Sequence, residues 1–308
     1  MLALIAGRGT LPAQIVEAQV NAGAARPFVC ALMGNLPAGV TPDLTFRIEH
    51  LGSLLLRLGK EGVTDVCLCG AIDRPEIDPA ALDRETLPLA PLFQHALAKG
   101  DDGALRVVMQ IFEQTGFTIR AANELVADLT QPAGVPTKAQ PQPRHRRDAI
   151  LGQQIIAEMG AADVGQACVI RDGVVLARED DAGTDAMLAQ FHEVYEAPYG
   201  DGDPLSAAVE WLAETVTAWI REAQDARQAP KAAPGAVLFK APKPDQDRRA
   251  DLPTIGPATA MHAAEGGFDG IIIEAGGVMV LDLPRVVAIL DAMNMFLWIR
   301  DPQSEDTA

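Results

Sequence analysis

Short apolar runs alternate with segments of helical period through the first part of the chain, a pattern that few folds accept. Leu2 to Ala6, Pro27 to Leu32 and Val63 to Cys69 read as strands, and Leu11 to Ala22 and Leu51 to Glu61 as helices. Glycine-bearing turns separate them. Strands joined through crossover helices form a parallel sheet with helices on its faces, the α/β class. The turn Gly7-Arg-Gly-Thr-Leu-Pro12 opens the first helix and puts backbone N–H groups and a helix N-terminus where a phosphate or ribose could dock. Lacking a third glycine, the same turn also suits connections that bind nothing.

A length of 308 residues allows two domains, each with its own core. The first closes near Leu129, and the stretch from Thr130 to Arg147, rich in proline and polar residues, reads as a linker. Its basic cluster, Arg144-His-Arg-Arg147, is expected to be a solvated hinge. Beyond it, Ala149 to Met159 reads as a helix, Ala167 to Arg171 and Val174 to Ala177 as a hairpin around Asp172-Gly173, and Thr184 to Gln190 as the start of a helix. Two buried strands around Gly276-Gly277, a helix from Pro284 to Asn294 and a strand from Met295 to Ile299 complete an α/β second domain with a mixed sheet. Between them, Leu205, Val209, Leu212, Val216 and Trp219 recur at helical spacing after Asp203-Pro204. This acidic amphipathic helix would be repelled by anionic lipid and is expected to pack on the second domain or on a partner subunit.

The run from Lys240 to Pro257, KAPKPDQDRRADLPTIGP, carries most of the chemistry. It follows the apolar run at Ala236 and ends before a helical pattern, so its charges sit on a strand-to-helix loop, where ligands collect in α/β sheets. Carboxylates can hold a divalent cation while lysine and arginine neutralise phosphate oxygens, a mixture suited to phosphoryl chemistry. A solvated loop with internal ion pairs would use the same residue types. Pro242, Pro244 and Pro253, however, fix the backbone at three places, which serves a loop that must hold charges in position. Gly100-Asp-Asp-Gly103 precedes a further helix, with Asp102 suited to a helix cap or a ligand contact.

A net charge of −17 argues against a nucleic-acid partner. Cysteines at 30, 67, 69 and 168 form no C-x-x-C pair and read as small buried hydrophobes, in keeping with a reducing, cytoplasmic home. The opening Met1-Leu-Ala-Leu-Ile-Ala lacks a basic n-region and is expected to be a strand, not a signal peptide. No apolar segment reaches the roughly twenty residues of a membrane span. The five histidines show no metal-ligand spacing, and neither a nucleophile elbow nor the clustered Asp, Asn and His motifs of a dimetal hydrolase is present.

The loop K-x-x-K-P-x-Q-D-x-R-x-D-x-P-x-I-G-P resembles the signature of the LpxI-type UDP-2,3-diacylglucosamine pyrophosphatases of lipid A biosynthesis. Leu4 through Pro12, Gly62 through Gly70 with Arg74-Pro75, Gly100-Asp-Asp102, Gly116-Phe117, Pro132 to Thr137, Asp163-Val-Gly-Gln166 and Gly183 to Met187 follow in that family's order. The segment from about 189 to 233 is an insertion, and Ala182 stands where family members often carry an acid.

The resemblance implies a Rossmann-like N-terminal domain, residues 1–132, that binds the uridine nucleotide, and a C-terminal domain, residues 133–308, that carries catalysis and the acyl chains. The implied reaction is hydrolysis of UDP-2,3-diacylglucosamine to UMP and 2,3-diacylglucosamine 1-phosphate with Mg²⁺ or another divalent cation. Asp251 and Asp247 are the expected metal ligand and water-orienting group, with Lys243 and Arg248 beside them in catalysis. Gly7, Gly9, Leu11, Pro12, Asp102, Gln166, Thr184, Lys240, Gln246 and Pro253 are the expected substrate contacts, with the diphosphate across a cleft between the domains. Transient contact with the inner-membrane surface and a homodimer are compatible with this reading. So is a non-catalytic protein of the same fold that binds a sugar nucleotide or lipid.

Overall fold

The computed structural model describes residues 1–73, 75–97, 101–191 and 233–301. The amphipathic helix expected within 189–233 lies outside the described residues. Two compact units divide the chain, Met1–Thr130 with Asp245–Leu252 in the first and Gln131–Pro244 with Pro253–Ala308 in the second.

In the first unit, β1 (Leu2–Ala6), β2 (Phe28–Leu32), β3 (Leu44–Phe46), β4 (Asp65–Cys69) and β5 (Thr118–Ile119) form one sheet in the order β3-β2-β1-β4-β5, parallel throughout. Helix α1 (Leu11–Asn21) joins β1 to β2, and α2 (Leu51–Lys60) joins β3 to β4. Helices α3 (Ala90–Leu97) and α4 (Asp101–Gln114) lead to β5, and α5 (Ala122–Leu125) follows it. Four successive residues of each of β1, β2 and β4 are buried, so both sheet faces are covered. Every third or fourth residue of α2 is a leucine, and Leu51, Leu54, Leu55 and Leu58 pack with Ile111 and Phe112 of α4 on Ala3, Ile5 and Val66. Each such side chain, fully buried, contributes about 1.5–3 kcal/mol. Cys30 and Cys67 lie within these strands, and burial pushes the Cys30 thiol up to about 12, which keeps it protonated and inert.

In the second unit, α6 (Pro143–Ala161) precedes the hairpin of β6 (Ala167–Arg171) and β7 (Val174–Arg178), and α7 (Gly183–Ala189) follows it. Next come β8 (Val237–Lys240), β9 (Thr254–Ile255), α8 (Pro257–Glu265), β10 (Gly270–Glu274), β11 (Met279–Val280), α9 (Leu283–Ala292) and β12 (Phe296–Arg300). The main sheet runs β12-β10-β8-β6-β7 and is mixed: β12, β10 and β8 are parallel, and β6 and β7 antiparallel to their neighbours. Strands β9 and β11 form a separate parallel pair. Alternation in β8 sends Val237 and Phe239 to one face, against Ala149, Ile155 and Ile156 of α6. Leu238 goes to the other, with Leu188 of α7, Ala263 of α8 and Leu290 of α9.

Helix α6 begins at Pro143, inside the stretch expected to be a linker. Proline at the first helical position lacks only an N–H that would have no partner, and the backbone N–H of Gln142 is taken by His145 Nδ1 at 3.0 Å. The basic cluster is therefore a helix start and not a solvated hinge. The Arg144 guanidinium pairs with Asp269 and, at 3.3 Å, with Asp172. His145 is buried, 4.8 Å from the Phe296 ring and 3.2 Å from Asp269 Oδ2. Burial, reinforced by Arg144, lowers its pKa and favours the neutral ring that accepts at Nδ1 and donates at Nε2.

Candidate active site

Strand order in the first unit reverses between β1 and β4, because the chain leaves β1 toward β2 on one side and β4 toward β5 on the other. Ligands of open α/β sheets bind outside the carboxyl ends of the strands at such a point. The Gly7–Pro12 turn leaves β1 there, and Gly70 to Asp73 leave β4. Gly7 N–H donates to Cys69 O at 2.8 Å, and Arg8 and Ala71 exchange backbone bonds of 2.8 and 3.0 Å. The approach is tight: a Cβ on Gly70, whose φ is +89°, would lie 2.7 Å from the carbonyl oxygens of both Gly7 and Arg8, and one on Gly7 would overlap Ala71 O. Gly9 adds a further left-handed residue, φ +92°.

Leu11 and Pro12 are buried, so they fix the start of α1 by packing. The Arg8 fork reaches Asp73, with Nη2 2.6 Å from Oδ1, while Asp73 N–H is held by the buried Asn35 at 3.0 Å. Arg8 and Asp73 were missing from the sequence-predicted set, although Arg8 stands between the two glycines of the turn. Asp102 lies in the first turn of α4, one residue past its start at Asp101.

At the carboxyl end of β8 in the second unit, the register Ala167↔Lys240 sets Gln166 and Lys240 at the same end of the sheet. Lys240 is only 6 % exposed. Its Nζ donates to Thr184 Oγ1 at 2.8 Å and to Thr254 O at 3.1 Å. The Thr184 hydroxyl donates onward to Glu179 Oε1 at 2.6 Å, and Glu179 Oε2 accepts Gln166 N–H at 2.7 Å. Three expected residues, Gln166, Thr184 and Lys240, thus meet in one network with the buried Glu179 carboxylate, which was not among the expected site residues. Glu179 directly follows β7, a position that a strand-end acid beside the Gly183-Thr184 turn could have signalled.

The charged loop behaves differently. The whole Lys240–Pro257 stretch was expected in the second domain, yet Asp245–Leu252 belong to the first unit, where Ala250 packs on its core and Arg249 Nη1 reaches Glu113 at 2.6 Å. Arg249 also grips Asp247, with Nε at 3.0 Å from Oδ1 and Nη2 at 2.7 Å from Oδ2, while its own N–H bonds Oδ1 at 3.1 Å. Hydrogen bonding from the Arg249 side chain holds the Asp247 carboxyl below the usual carboxylate range.

Both Asp247 oxygens accept bonds from Arg249. Gln246 Nε2 donates to Asp251 Oδ2 at 2.6 Å, the kind of bond that orients a ligating carboxylate. No group of three His, Cys, Asp or Glu gathers for a metal among the described residues. Mg²⁺ needs only one or two carboxylates when substrate phosphates supply the rest. Outside the eight-residue return, Lys243 pairs with Asp163 at 2.7 Å, and Pro253 O anchors Met279 N–H at 2.8 Å. Arg248 lies in the turn Arg248–Ala250 that leads to Asp251 and belongs to the same return.

A parallel sheet with a switch point in the first unit and a mixed sheet carrying a buried lysine network in the second define a two-unit α/β protein. The LpxI N-terminal domain matches residues 1–129, and the LpxI C-terminal domain residues 132–298. The chain is also 34% identical, over 98% of its own length and 98% of the relative's, to the UDP-2,3-diacylglucosamine pyrophosphatase LpxI of Caulobacter vibrioides. This chain belongs to the LpxI family. Among the described residues, no helix is long and apolar enough to cross a membrane.

Proposed function

We propose that the chain hydrolyses UDP-2,3-diacylglucosamine to UMP and 2,3-diacylglucosamine 1-phosphate, a step of lipid A biosynthesis. The observation that carries this reading is the 34% identity along nearly the whole length of both chains to a relative named for that substrate. In the reaction, water oxygen bonds to one phosphorus, the bridging P–O bond breaks, and the water protons pass to the product phosphates or to solvent.

The N-terminal domain, residues 1–132, would take the uridine nucleotide through the Gly7–Pro12 turn; residues 133–308 would supply catalysis and receive the acyl chains, at about 0.8 kcal/mol per buried methylene. Asp251, oriented by Gln246, would hold Mg²⁺ together with the diphosphate. Bound there, the ion supplies charge neutralisation on the phosphoryl oxygens. Lys240, Lys243 and Arg248 offset the remaining negative charge. Asp247 keeps Arg249 in place, and Arg249 keeps the loop in place. The reaction would run in the cytoplasm, with transient contact at the inner-membrane surface to collect substrate.

The test is incubation of the purified protein with UDP-2,3-diacylglucosamine, with Mg²⁺ and with EDTA. UMP and the sugar phosphate should form with Mg²⁺ only. Binding of the substrate without release of UMP would leave a non-catalytic binding protein in place of the enzyme.

A further inference from the structure

Glu179, outside the charged loop, is a buried ionisable group tied to a residue of the proposed mechanism. It is 7 % exposed, and an ionised carboxylate in such a place needs partners for its oxygens. One oxygen takes Gln166 N–H at 2.7 Å and the other the Thr184 hydroxyl at 2.6 Å. A threonine hydroxyl has one proton to give. Because Glu179, which has no proton to offer when ionised, claims it, the Thr184 oxygen must turn its lone pairs elsewhere, and one of them meets the Lys240 ammonium at 2.8 Å.

The chain carboxylate–hydroxyl–ammonium therefore has a fixed direction. Thr254 O accepts a second N–H of Lys240 at 3.1 Å, so the fold holds the ammonium from two directions at least. The backbone guards the arrangement as well. Gly165 has φ +58°, and a Cβ there would lie 2.5 Å from the Glu179 carbonyl oxygen.

We propose that Glu179 is a positioning residue that acts through Thr184 to aim the Lys240 ammonium at the phosphoryl oxygens. Thr184, expected to touch substrate, is then the relay between them, with its proton and one lone pair already used inside the protein. The proposal rests on the reading of Lys240 given under Proposed function, and Glu179 supplies its orientation. An isolated buried lysine would have many rotamers and a large solvation loss; a lysine held by a hydroxyl and a carbonyl, with a carboxylate behind the hydroxyl, is preorganised.

The experiment is a double-mutant cycle on UMP release from UDP-2,3-diacylglucosamine with Mg²⁺, using Thr184→Val, Thr184→Ser, Glu179→Gln and Lys240→Met. Thr184→Val, which keeps the shape and removes the relay, should lower kcat by about 10- to 100-fold with KM within about 2-fold, and Thr184→Ser should restore it. Glu179→Gln should cost about 10-fold alone and less than about 2-fold in the Lys240→Met background, since it acts through the lysine. Additive losses, or no recovery with serine, would overturn the proposal.

A second readout is independent of turnover: the ¹⁵N–¹H resonance of the Lys240 ammonium, assigned by its loss in Lys240→Met. Its hydrogen exchange should quicken at least several-fold in Thr184→Val. Unchanged exchange sinks the positioning role even if the wild-type enzyme is active. An inactive wild type with the expected exchange pattern would instead sink the proposed reaction and leave the lysine geometry standing.

Discussion

Two charged regions of this molecule hold their groups by opposite means. Around Lys240 the partners Gln166, Glu179, Thr184 and Thr254 come from the ends of different strands and helices, and Lys240 and Glu179 are buried. In the Asp245–Leu252 loop, Arg249 bonds Asp247 and Gln246 bonds Asp251 within the loop itself, and the half-exposed pair of Arg249 with Glu113 ties the loop to α4. A network built from several sheet and helix ends moves only if the fold moves. A loop that ties its own residues together can keep its internal shape and still shift as a piece when one anchor goes. Preorganised charge therefore lies at the strand ends of the second unit, and the loop carries a carboxylate held by its own residues.

The largest expected effect falls on the loop residue with no substitute. Asp251→Ala should lower kcat by about 10³-fold or more if it is the carboxylate that meets the cation, since the lost group stabilises charge only as the bond breaks. Substrate affinity should change little, because the proposed uridine and acyl contacts do not involve Asp251. The checks are UMP release and direct titration of substrate into the variant. Retained turnover would break the contrast by moving the chemistry to the strand ends of the second unit.

The sequence conveyed the strand and helix periods of the first unit well, because four successive buried residues in β1, β2 and β4 leave a run that only a strand covered on both faces explains. The hairpin at Asp172-Gly173 was equally legible: both residues adopt positive φ, 50° and 78°, the backbone that a two-residue turn demands of an Asp-Gly pair. Strands β3 and β5, of three and two residues, are too short to carry a period. Helix α6 began earlier than its apolar pattern because Pro143 is a helix starter as well as a linker residue, and because its buried positions include His145 and Asp148.

The site divides along the same line. Gln166, Thr184 and Lys240 were named from motifs, but what joins them is Glu179, whose bonds span up to 13 residues and depend on the β6–β7 pairing. The return of Asp245–Leu252 to the first unit rests on an Arg249–Glu113 contact across 136 positions, which no local pattern encodes. The charges of the loop were legible, and their pairing was not: Asp247 carries the residue type of a ligand and the bonds of a clamp.

A middle-sized effect should separate anchoring from chemistry. Arg249→Ala removes the grip on both Asp247 and Glu113, whereas Glu113→Gln removes only the outer contact. The first should lower kcat/KM by about 10-fold and the second by no more than about 3-fold, with exposed pairs worth about 0–1 kcal/mol in stability. Steady-state kinetics at low and high salt, beside thermal unfolding, would measure this. Equal losses in the two variants would make the Glu113 contact the sole anchor, and a loss as large as that of Asp251→Ala would place Arg249 in the chemistry.

The smallest effect concerns pH and stability. The Asp247 carboxyl is held down chiefly by the Arg249 side-chain hydrogen bond, so its folded pKa lies below the unfolded value of about 3.9. A group depressed in this way binds fewer protons in the folded state than in the unfolded one over that interval, and its stabilising contribution is fully present above pH about 4–5 and declines as the pH falls through the folded pKa. Asp247→Asn should therefore flatten the acid limb of unfolding free energy against pH while leaving the slope near neutrality alone. Arg249→Ala should flatten it equally, because the depression comes from that side chain. Urea unfolding at a series of pH values between about 5 and 2.5 would measure both variants. An acid limb unchanged by Asp247→Asn would mean that the loop carboxylate is not clamped in solution, and the distinction between a rigid strand-end network and a self-tied loop would then rest on Gln246 and Asp251 alone.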